Sequence, residues 1–134
     1  MTDIEKAKEI FSSGEYTFVL VKENDIIKST EKGLKPLVDL IESGKDFFEY
    51  SICDKICGRA SSFLYVLLGL RAVHSTKMAK LAVQILDRAE IEYSTDQFVD
   101  TILDSELKEV EKFENAVLRS GSAVKALEDI KAAF

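Results

Sequence analysis

Apolar positions along this chain follow two different periods in turn, and this alternation predicts a protein built of both helices and strands. Residues 3–13 have apolar side chains at helical spacing, and Thr2 and Glu5 at the start of this segment have capping-box spacing. Residues 17–22 instead form a continuous apolar run, which is typical of a buried strand. Asn24-Asp25 separates this run from a second short one, so a β-hairpin with its turn at these two residues is predicted.

After the hairpin, the same alternation continues to about residue 95. The predicted elements are a helix from Gly33 to Gly44 that Pro36 helps to open, a strand over residues 50–53, a nearly uncharged helix over 58–68, a strand over 72–75, a helix from Met78 to Ala89 and a short strand over 91–93. Strands and helices that alternate along a chain form a parallel sheet with helices on both faces. The predicted fold class is therefore α/β.

The rest of the chain has only the helical period. Ser94 and Gln97 have capping-box spacing, and an apolar stripe then follows at Val99, Leu103, Leu107, Val110, Phe113 and Val117. Gly121-Ser122 interrupts the pattern before a last helix over residues 123–134. The 134 residues are therefore predicted to form one domain, with an N-terminal helix (1–14), an α/β core (17–95) and a helical tail (96–134).

Composition and charge narrow the range of functions. Hydrophobic residues make up 46% of the chain and charged residues 31%, which is ordinary for a globular protein, and the net charge is −6. An acidic chain without a basic cluster is unsuited to neutralising the phosphates of a nucleic acid, so no nucleic-acid polymer is expected as a partner. A local basic pocket for one small anion remains compatible with the sequence.

The sequence also predicts a cytoplasmic protein that does not cross a membrane. Its longest uncharged apolar run, from Ala60 to Leu70, has about half of the roughly 20 residues that span a bilayer. The first residues are polar and of mixed charge, unlike those of a signal peptide. In the cytoplasm the two cysteines would be reduced thiols rather than a disulfide.

Two glycines that precede helices mark a candidate binding site. Gly33 and Gly58 each stand where a helix begins, and a helix N-terminus binds anions through its free amide groups. The cations next to these glycines are Lys32, Lys35, Lys55 and Arg59. If both helices begin at the same edge of the sheet, these groups surround one pocket. The alternative is that the glycines only permit tight turns and the cations are solvated.

Asp54-Lys55 is the strongest candidate pair for chemistry, because it follows the predicted strand directly. Asp54 could accept a hydrogen bond from a ligand hydroxyl, and Lys55 could hold a phosphate or act as a base. The alternative is that Asp54 caps the next helix and Lys55 is solvated. Cys57, close to a helix N-terminus and to two cations, could be a reactive thiolate of lowered pKa, or simply a small buried apolar residue.

Metal, cofactor and hydrolase chemistry find little support in the sequence. Zinc sites need three or four ligands, whereas this chain has only Cys53, Cys57 and the single histidine, His74. Cys53 is expected in the core, and His74 is either a structural residue or a general acid/base near Asp54. No metal and no cofactor are expected. Ser61 and Ser62 have no histidine and aspartate at a recognisable spacing.

Three segments of the chain resemble a known family. They are Lys35-Pro36-Leu37 at the start of a helix, Ser43-Gly44-Lys45-Asp46 at its end, and Asp54-Lys55-Ile56-Cys57-Gly58-Arg59-Ala60. Together they resemble the domain-of-unknown-function 1893 family over roughly residues 18–134, and the D-K-x-x-G-x-A stretch is the most specific part. The resemblance implies a three-layer α/β/α sandwich with a mixed five-stranded sheet, similar to the cytidine deaminases, and additional C-terminal helices.

The resemblance also implies a branch of that fold without catalytic zinc. In zinc-dependent deaminases the two helices begin with H-A-E and P-C-x-x-C, which supply the metal ligands. The corresponding segments here are Glu31-Lys32-Gly33-Leu34 and Cys53-Asp54-Lys55-Ile56-Cys57. Deamination by zinc-activated water is therefore not supported. Relatives often carry a cysteine-proline pair before a Phe/Met-Glu in the tail, whereas this chain has Glu111-Lys112 before Phe113-Glu114.

The function expected from these observations is the binding of a small anionic ligand, such as a nucleotide or nucleoside derivative, by a zinc-free protein of deaminase-like fold. The residues expected to line the pocket are Glu31, Lys32, Gly33, Lys35, Asp54, Lys55, Cys57, Gly58 and Ser61. One alternative is an enzyme that uses the Cys57 thiolate or the Asp54-Lys55 pair. Another is an interaction or scaffold protein without catalysis. A homodimer is expected, because a partner could cover the nearly uncharged helix over residues 58–68.

Overall fold

A mixed five-stranded sheet forms the centre of the computed structural model, which describes residues 1–103 and 111–134. The elements in chain order are α1 (Asp3–Ser12), β1 (Phe18–Lys22), β2 (Asp25–Ser29), α2 (Lys35–Glu42), β3 (Ser51–Cys57), α3 (Arg59–Leu68), β4 (Ala72–Ala79), α4 (Ala82–Arg88), β5 (Glu92–Val99), α5 (Lys112–Ala116) and α6 (Ala123–Ala132). The strand order is β2-β1-β3-β4-β5. β1 runs antiparallel to β2 and β3, and β3, β4 and β5 run parallel to one another. The predicted mixed sheet of five strands is confirmed.

Helices cover both faces of this sheet. Successive residues of a strand point to opposite faces, so each strand contributes side chains to both layers. On one side, Val19 and Cys53 pack against Ala7 of α1. On the other side, Leu20 and Ile52 belong to a larger apolar cluster to which α2, α3, α4, α5 and α6 all contribute. The predicted helix at residues 3–13 is confirmed as α1, and the Thr2 hydroxyl accepts a hydrogen bond from the Glu5 amide at 3.2 Å.

α3 is the central helix of the larger layer. It contacts α2, α4, α5 and α6, and its side chains are buried almost all round. Gly69 ends it in the left-handed conformation, at a φ of 70°. The absence of charge after Arg59 therefore follows from burial within the chain, and the helix does not require a second copy to cover it.

The hairpin is confirmed, although its turn lies one residue earlier than predicted. Lys22 pairs with Asp25, so the two residues between the strands are Glu23 and Asn24. Glu23 adopts a φ of 55°, as the tight two-residue turn requires. Asp25, which was predicted in the turn, is the first residue of β2.

The three parallel strands are longer than the sequence pattern predicts. β3 continues to Cys57, which pairs with Met78 of β4, and Met78 in turn pairs with Phe98 of β5. Asp54 and Lys55 therefore lie within β3, and the prediction that they follow the strand is wrong. Polar residues are tolerated there because pairing with the neighbouring strands depends on backbone hydrogen bonds and not on apolar side chains.

The predicted helix start at Ser94 and Gln97 is also wrong, since both residues lie in β5. Met78, predicted as the first apolar position of the fourth helix, lies in β4, and α4 begins at Ala82. Of the predicted tail stripe, Leu107 and Val110 lie outside the described residues. The last predicted helix is confirmed as α6. In residues 1–103 and 111–134, no helix is long and apolar enough to cross a membrane.

Candidate functional site

A cavity of about 360 Å³ lies between the start of α2, the end of β3, the start of α3 and the residues around α5. Most of its wall is apolar. The residues that line it are Thr17, Phe18, Lys32, Gly33, Leu34, Leu37, Asp54, Lys55, Ile56, Gly58, Ala60, Ser61, Ile102, Leu103, Glu111, Phe113 and Glu114. The turns that contain Gly33 and Gly58 therefore reach the same space, as the sequence analysis required for a single pocket.

Six of the predicted pocket residues line this cavity and three do not. Those that line it are Lys32, Gly33, Asp54, Lys55, Gly58 and Ser61. Glu31, Lys35 and Cys57 are absent from its wall. The ammonium group of Lys35 instead lies 3.0 Å from a carboxylate oxygen of Asp39, one turn along α2.

The two glycines serve different physical purposes. Gly33 has a φ of 85°, a left-handed conformation that a side chain would strain, and no heavy atom lies within 4 Å of the position that a Cβ would take. Gly58 is in extended backbone, but a Cβ there would lie 2.0 Å from Oε1 of Glu114. Gly33 therefore permits a turn, whereas Gly58 makes room for the close approach of a carboxylate.

Glu114 supplies an internal anion to the N-terminus of α3. Its Oε1 accepts a hydrogen bond from the Arg59 amide at 2.8 Å, and its Oε2 accepts one from the Ala60 amide at 2.8 Å. Burial raises the pKa of this carboxyl, although the two amide donors act in the opposite direction. The helix N-terminus that the sequence analysis assigned to a ligand anion is thus occupied by the chain itself.

Glu111 fixes the beginning of α5 and so helps to position Glu114. Its Oε2 accepts hydrogen bonds from the amides of Phe113 at 2.9 Å and Glu114 at 3.1 Å. These are free donors of the first helical turn, which a carboxylate satisfies well. Two capping carboxylates, one for each helix, therefore lie in the wall of the cavity.

Asp54 is the acidic residue of β3 that lines the cavity. Its Oδ2 accepts a hydrogen bond from the Tyr65 hydroxyl at 2.5 Å, and its Oδ1 accepts one from the Lys55 amide at 2.8 Å. Burial raises the pKa of Asp54 to about 6, and both hydrogen bonds oppose this increase. Burial and the adjacent carboxylate also raise the pKa of Tyr65 well above 10. A carboxyl group that titrates near neutrality is suited to binding or proton transfer.

The cysteines do not form a reactive site. Cys57 is fully buried, its Sγ lies 3.4 Å from Oγ of Ser62, and burial raises its pKa to about 12. The hypothesis of a thiolate with a lowered pKa is therefore wrong, since desolvation outweighs any effect of the helix N-terminus. Cys53 packs beneath α1, and burial raises its pKa to about 12 as well.

His74 lies on the other side of the sheet, away from the cavity. It pairs in register with Cys53, whereas the residue opposite Asp54 is Ser75. Its Nδ1 lies 2.7 Å from Oγ of Ser94, and its Nε2 lies 3.2 Å from Oδ1 of Asp96. The structural role proposed for His74 agrees with this position, whereas a role beside Asp54 does not. In the described part of the chain, no group of three or more His, Cys, Asp or Glu side chains could hold a metal ion.

Sequence reasoning did not identify the contribution of the tail to this cavity. The missed residues are Ile102, Leu103, Glu111, Phe113 and Glu114. Phe113-Glu114 was noted as a tail motif, but nothing local in the sequence relates it to Gly58, more than fifty residues earlier. The signal that could have suggested the contact is a buried helix that begins with glycine and lacks a capping side chain of its own.

Comparisons with known proteins identify a family and a fold. The model of the family described as "Domain of unknown function (DUF1893)" matches residues 6–134. The fold is similar to the crystal structure of a DUF1893 family protein from Thermotoga maritima, with a TM-score of 0.89 and 21% sequence identity over 100% of this chain and 92% of that one. No curated protein matches the sequence at a significant level.

Proposed function

Because this chain belongs to the DUF1893 family, whose function is unknown, we propose a function from the site itself: the protein binds a small ring-containing molecule, of the nucleoside type, in the cavity beside α3. The observation that carries the proposal is the convergence of the Gly33 and Gly58 turns on a space of about 360 Å³ with Asp54 in its wall. This volume falls within the range of ligand pockets, about 300–1,000 Å³.

The apolar wall favours a planar, weakly polar ligand. Phe18 and Phe113 both line the cavity and are almost fully buried. Aliphatic residues of α2 and the tail also line it. Aromatic rings and aliphatic side chains bind the faces of a heterocycle through dispersion and the hydrophobic effect. A few polar groups then fix the orientation of such a ligand.

Asp54 is the polar group proposed to orient the ligand. Each carboxylate oxygen can accept two hydrogen bonds. The Tyr65 hydroxyl donates to Oδ2, the Lys55 amide donates to Oδ1, and the Ile56 amide also donates to this carboxylate, which leaves one of the four acceptor sites. Asp54 therefore retains capacity to accept a hydrogen bond from an N–H or O–H group of a ligand. Ser61, on the first turn of α3, adds a hydroxyl to the same wall.

The proposal includes a relationship to the cytidine deaminase-like fold. What supports it is the position of two helix starts: the helix after the hairpin and the helix after β3 both begin at the cavity. In the zinc-dependent enzymes the metal ligands come from these places. Among the described residues that line the cavity there is no histidine or cysteine, so the side chains zinc prefers are missing from this wall. We therefore propose binding and not zinc-dependent deamination.

The other functions expected from the sequence have less support. Catalysis by a Cys57 thiolate is contradicted by its burial and raised pKa. Catalysis by the Asp54-Lys55 pair stays a prediction. The homodimer and the scaffold role also stay predictions, but they lose their main argument because α3 is covered by helices of its own chain.

Thermal-shift and calorimetric titrations with the four ribonucleosides test the proposal. We expect at least one to bind the wild-type protein, and we expect its dissociation constant to rise at least tenfold in Asp54→Asn and in Leu34→Trp, which adds bulk to the cavity wall. Asp96→Asn, the same exchange on the opposite side of the sheet, is the control and should bind as wild type does. Binding that is unchanged in both cavity variants would place the ligand elsewhere, and no binding at millimolar concentration would refute a nucleoside-type ligand.

A further inference from the structure

We propose that Glu114 determines the charge class of the ligand, so that the cavity accepts uncharged molecules and excludes anionic ones. This inference rests on the proposed function, because it specifies which ligands that cavity takes. It departs from the anionic ligand expected from the sequence. The reason is that the N-terminus of α3, on which that expectation depended, is occupied by a carboxylate of the chain.

The amides at the start of α3 are already occupied. Both oxygens of Glu114 accept hydrogen bonds, from Arg59 and Ala60, at 2.8 Å each. Gly58 provides the space for this approach, because a Cβ there would overlap the carboxylate. A phosphate could reach these amides only by displacing a buried side chain.

Charge is distributed unevenly around the cavity. Among the residues that the structure describes, its wall contains three carboxyl groups, those of Asp54, Glu111 and Glu114, all of them half-buried or buried. The lysines of this described part of the wall, Lys32 and Lys55, are exposed. Solvent and salt screen exposed charges strongly, whereas charges in an apolar wall interact at lower effective dielectric. An anion inside the cavity would therefore lose its hydration and face like charges.

A nucleoside and its 5′-monophosphate share the base and most of the sugar and differ in the charge at the 5′ position, and so they are suitable probes. The base and the 2′- and 3′-hydroxyl groups present the same apolar faces and the same donors in both molecules. The monophosphate adds a dianionic group that must be desolvated or held at the mouth. The wall therefore discriminates against the monophosphate by charge and not by the shape of the ring.

One experiment tests the role of Glu114 without any assumption about the organic ligand. Inorganic phosphate is titrated into wild type, Glu114→Gln, Glu114→Ala and the control Glu128→Gln, which removes the same charge from an exposed site on α6. We expect phosphate to raise the melting temperature of the Glu114 variants above the shift seen in wild type and control. Glu114→Gln preserves the size of the side chain and serves if Glu114→Ala does not fold. Equal shifts in all proteins would overturn the inference.

A second experiment compares ribonucleosides with their 5′-monophosphates by calorimetry. In wild type the nucleoside should bind at least tenfold more tightly, and in Glu114→Gln this ratio should fall several-fold. A monophosphate that binds wild type as tightly as its nucleoside would also overturn the inference. If neither probe binds, the proposed function fails, and the phosphate titration still decides whether Glu114 keeps anions away from α3.

Discussion

Glu114 lies so close to Gly58 that a Cβ atom on residue 58 would stand 2.0 Å from its Oε1. This contact joins the tail of the chain to the junction between β3 and α3. It satisfies two amide donors at the start of the most deeply buried helix. The stability of the α3 N-terminus therefore depends on a residue that is distant in sequence.

Gly58→Ala should destabilise the protein by about 2–3 kcal/mol, because the added methyl group displaces Glu114 and leaves buried donors without their acceptor. Urea unfolding at neutral pH measures the change. Gly121→Ala is the matched control: no heavy atom lies within 4 Å of its Cβ position. It should change the free energy of unfolding by less than about 0.5 kcal/mol. Equal effects of the two substitutions would contradict the steric explanation.

The same contact should make the effects of residues 58 and 114 non-additive. Glu114→Ala alone removes the capping anion and should cost about 1–3 kcal/mol. In that background Gly58→Ala meets no carboxylate, so its additional cost should be less than half of its cost in wild type. A double-mutant cycle from urea unfolding measures the coupling, and additive free energies would show that the clash is not with Glu114.

Asp54 should make the protein less stable as the pH rises from about 4 to about 6. Its pKa is about 6 in the folded protein, against an ordinary value of 3.8, so the folded state holds this proton more tightly. The stabilisation from the protonated group is fully present below about pH 4 and is lost as the pH passes the folded pKa, a loss on the order of 2–3 kcal/mol. The difference in unfolding free energy between wild type and Asp54→Asn, followed from pH 4 to 7.5, isolates this contribution. A difference that does not change with pH would refute the raised pKa.

Tyr65→Phe should raise the pKa of Asp54 further, because the hydroxyl group donates to the carboxylate and stabilises its charged form. The chemical shift of the Asp54 side-chain carboxyl carbon, followed by NMR as the pH changes, measures this pKa directly in both proteins. We expect a midpoint above 6 in the variant. A midpoint that is equal or lower would mean that the tyrosine does not stabilise the charge.

Neither cysteine should react readily in the folded protein. Burial raises the pKa of Cys53 and of Cys57 to about 12, so the thiolate fraction at pH 7.5 is very small. A disulfide reagent such as Ellman's should label both thiols at once in urea and label them in buffer only at the rate of global unfolding. In Cys57→Ser, Cys53 should still be labelled only at the rate at which that variant unfolds globally. Rapid labelling of Cys57 in buffer would restore the thiolate hypothesis.

The sequence predicted correctly the ends of those elements that depend on neighbouring residues of the chain. The Thr2 cap defines α1, and the left-handed Gly69 ends α3, because both features act through their own neighbouring backbone groups. Strand lengths are different. Asp54 interrupts an apolar run and indicates the end of a strand, but Tyr65 satisfies its carboxylate and β4 continues the ladder. Neither partner can be recognised from the residues next to Asp54.

Only part of the candidate site could be predicted from the sequence, because the rest depends on contacts between segments that are distant in the chain. Gly33 and Gly58 indicated where two turns would meet, since parallel strands and their helices share an edge of the sheet. The carboxylate that occupies α3 could not be predicted, because its contact depends on how the tail packs. For β5, the capping-box spacing of Ser94 and Gln97 indicated a helix start, although polar residues at these positions also fit an edge strand with a solvated face.

The position of β5 has a consequence for how molecules of this protein meet one another. It is the last of the described strands, and Glu92, Ser94 and Asp96 on it are exposed. Charged side chains on an outer strand disfavour the backbone pairing by which sheets of separate molecules merge and aggregate. Acidic groups here would repel the same groups of a second copy, which opposes the growth of a continuous intermolecular sheet from this edge.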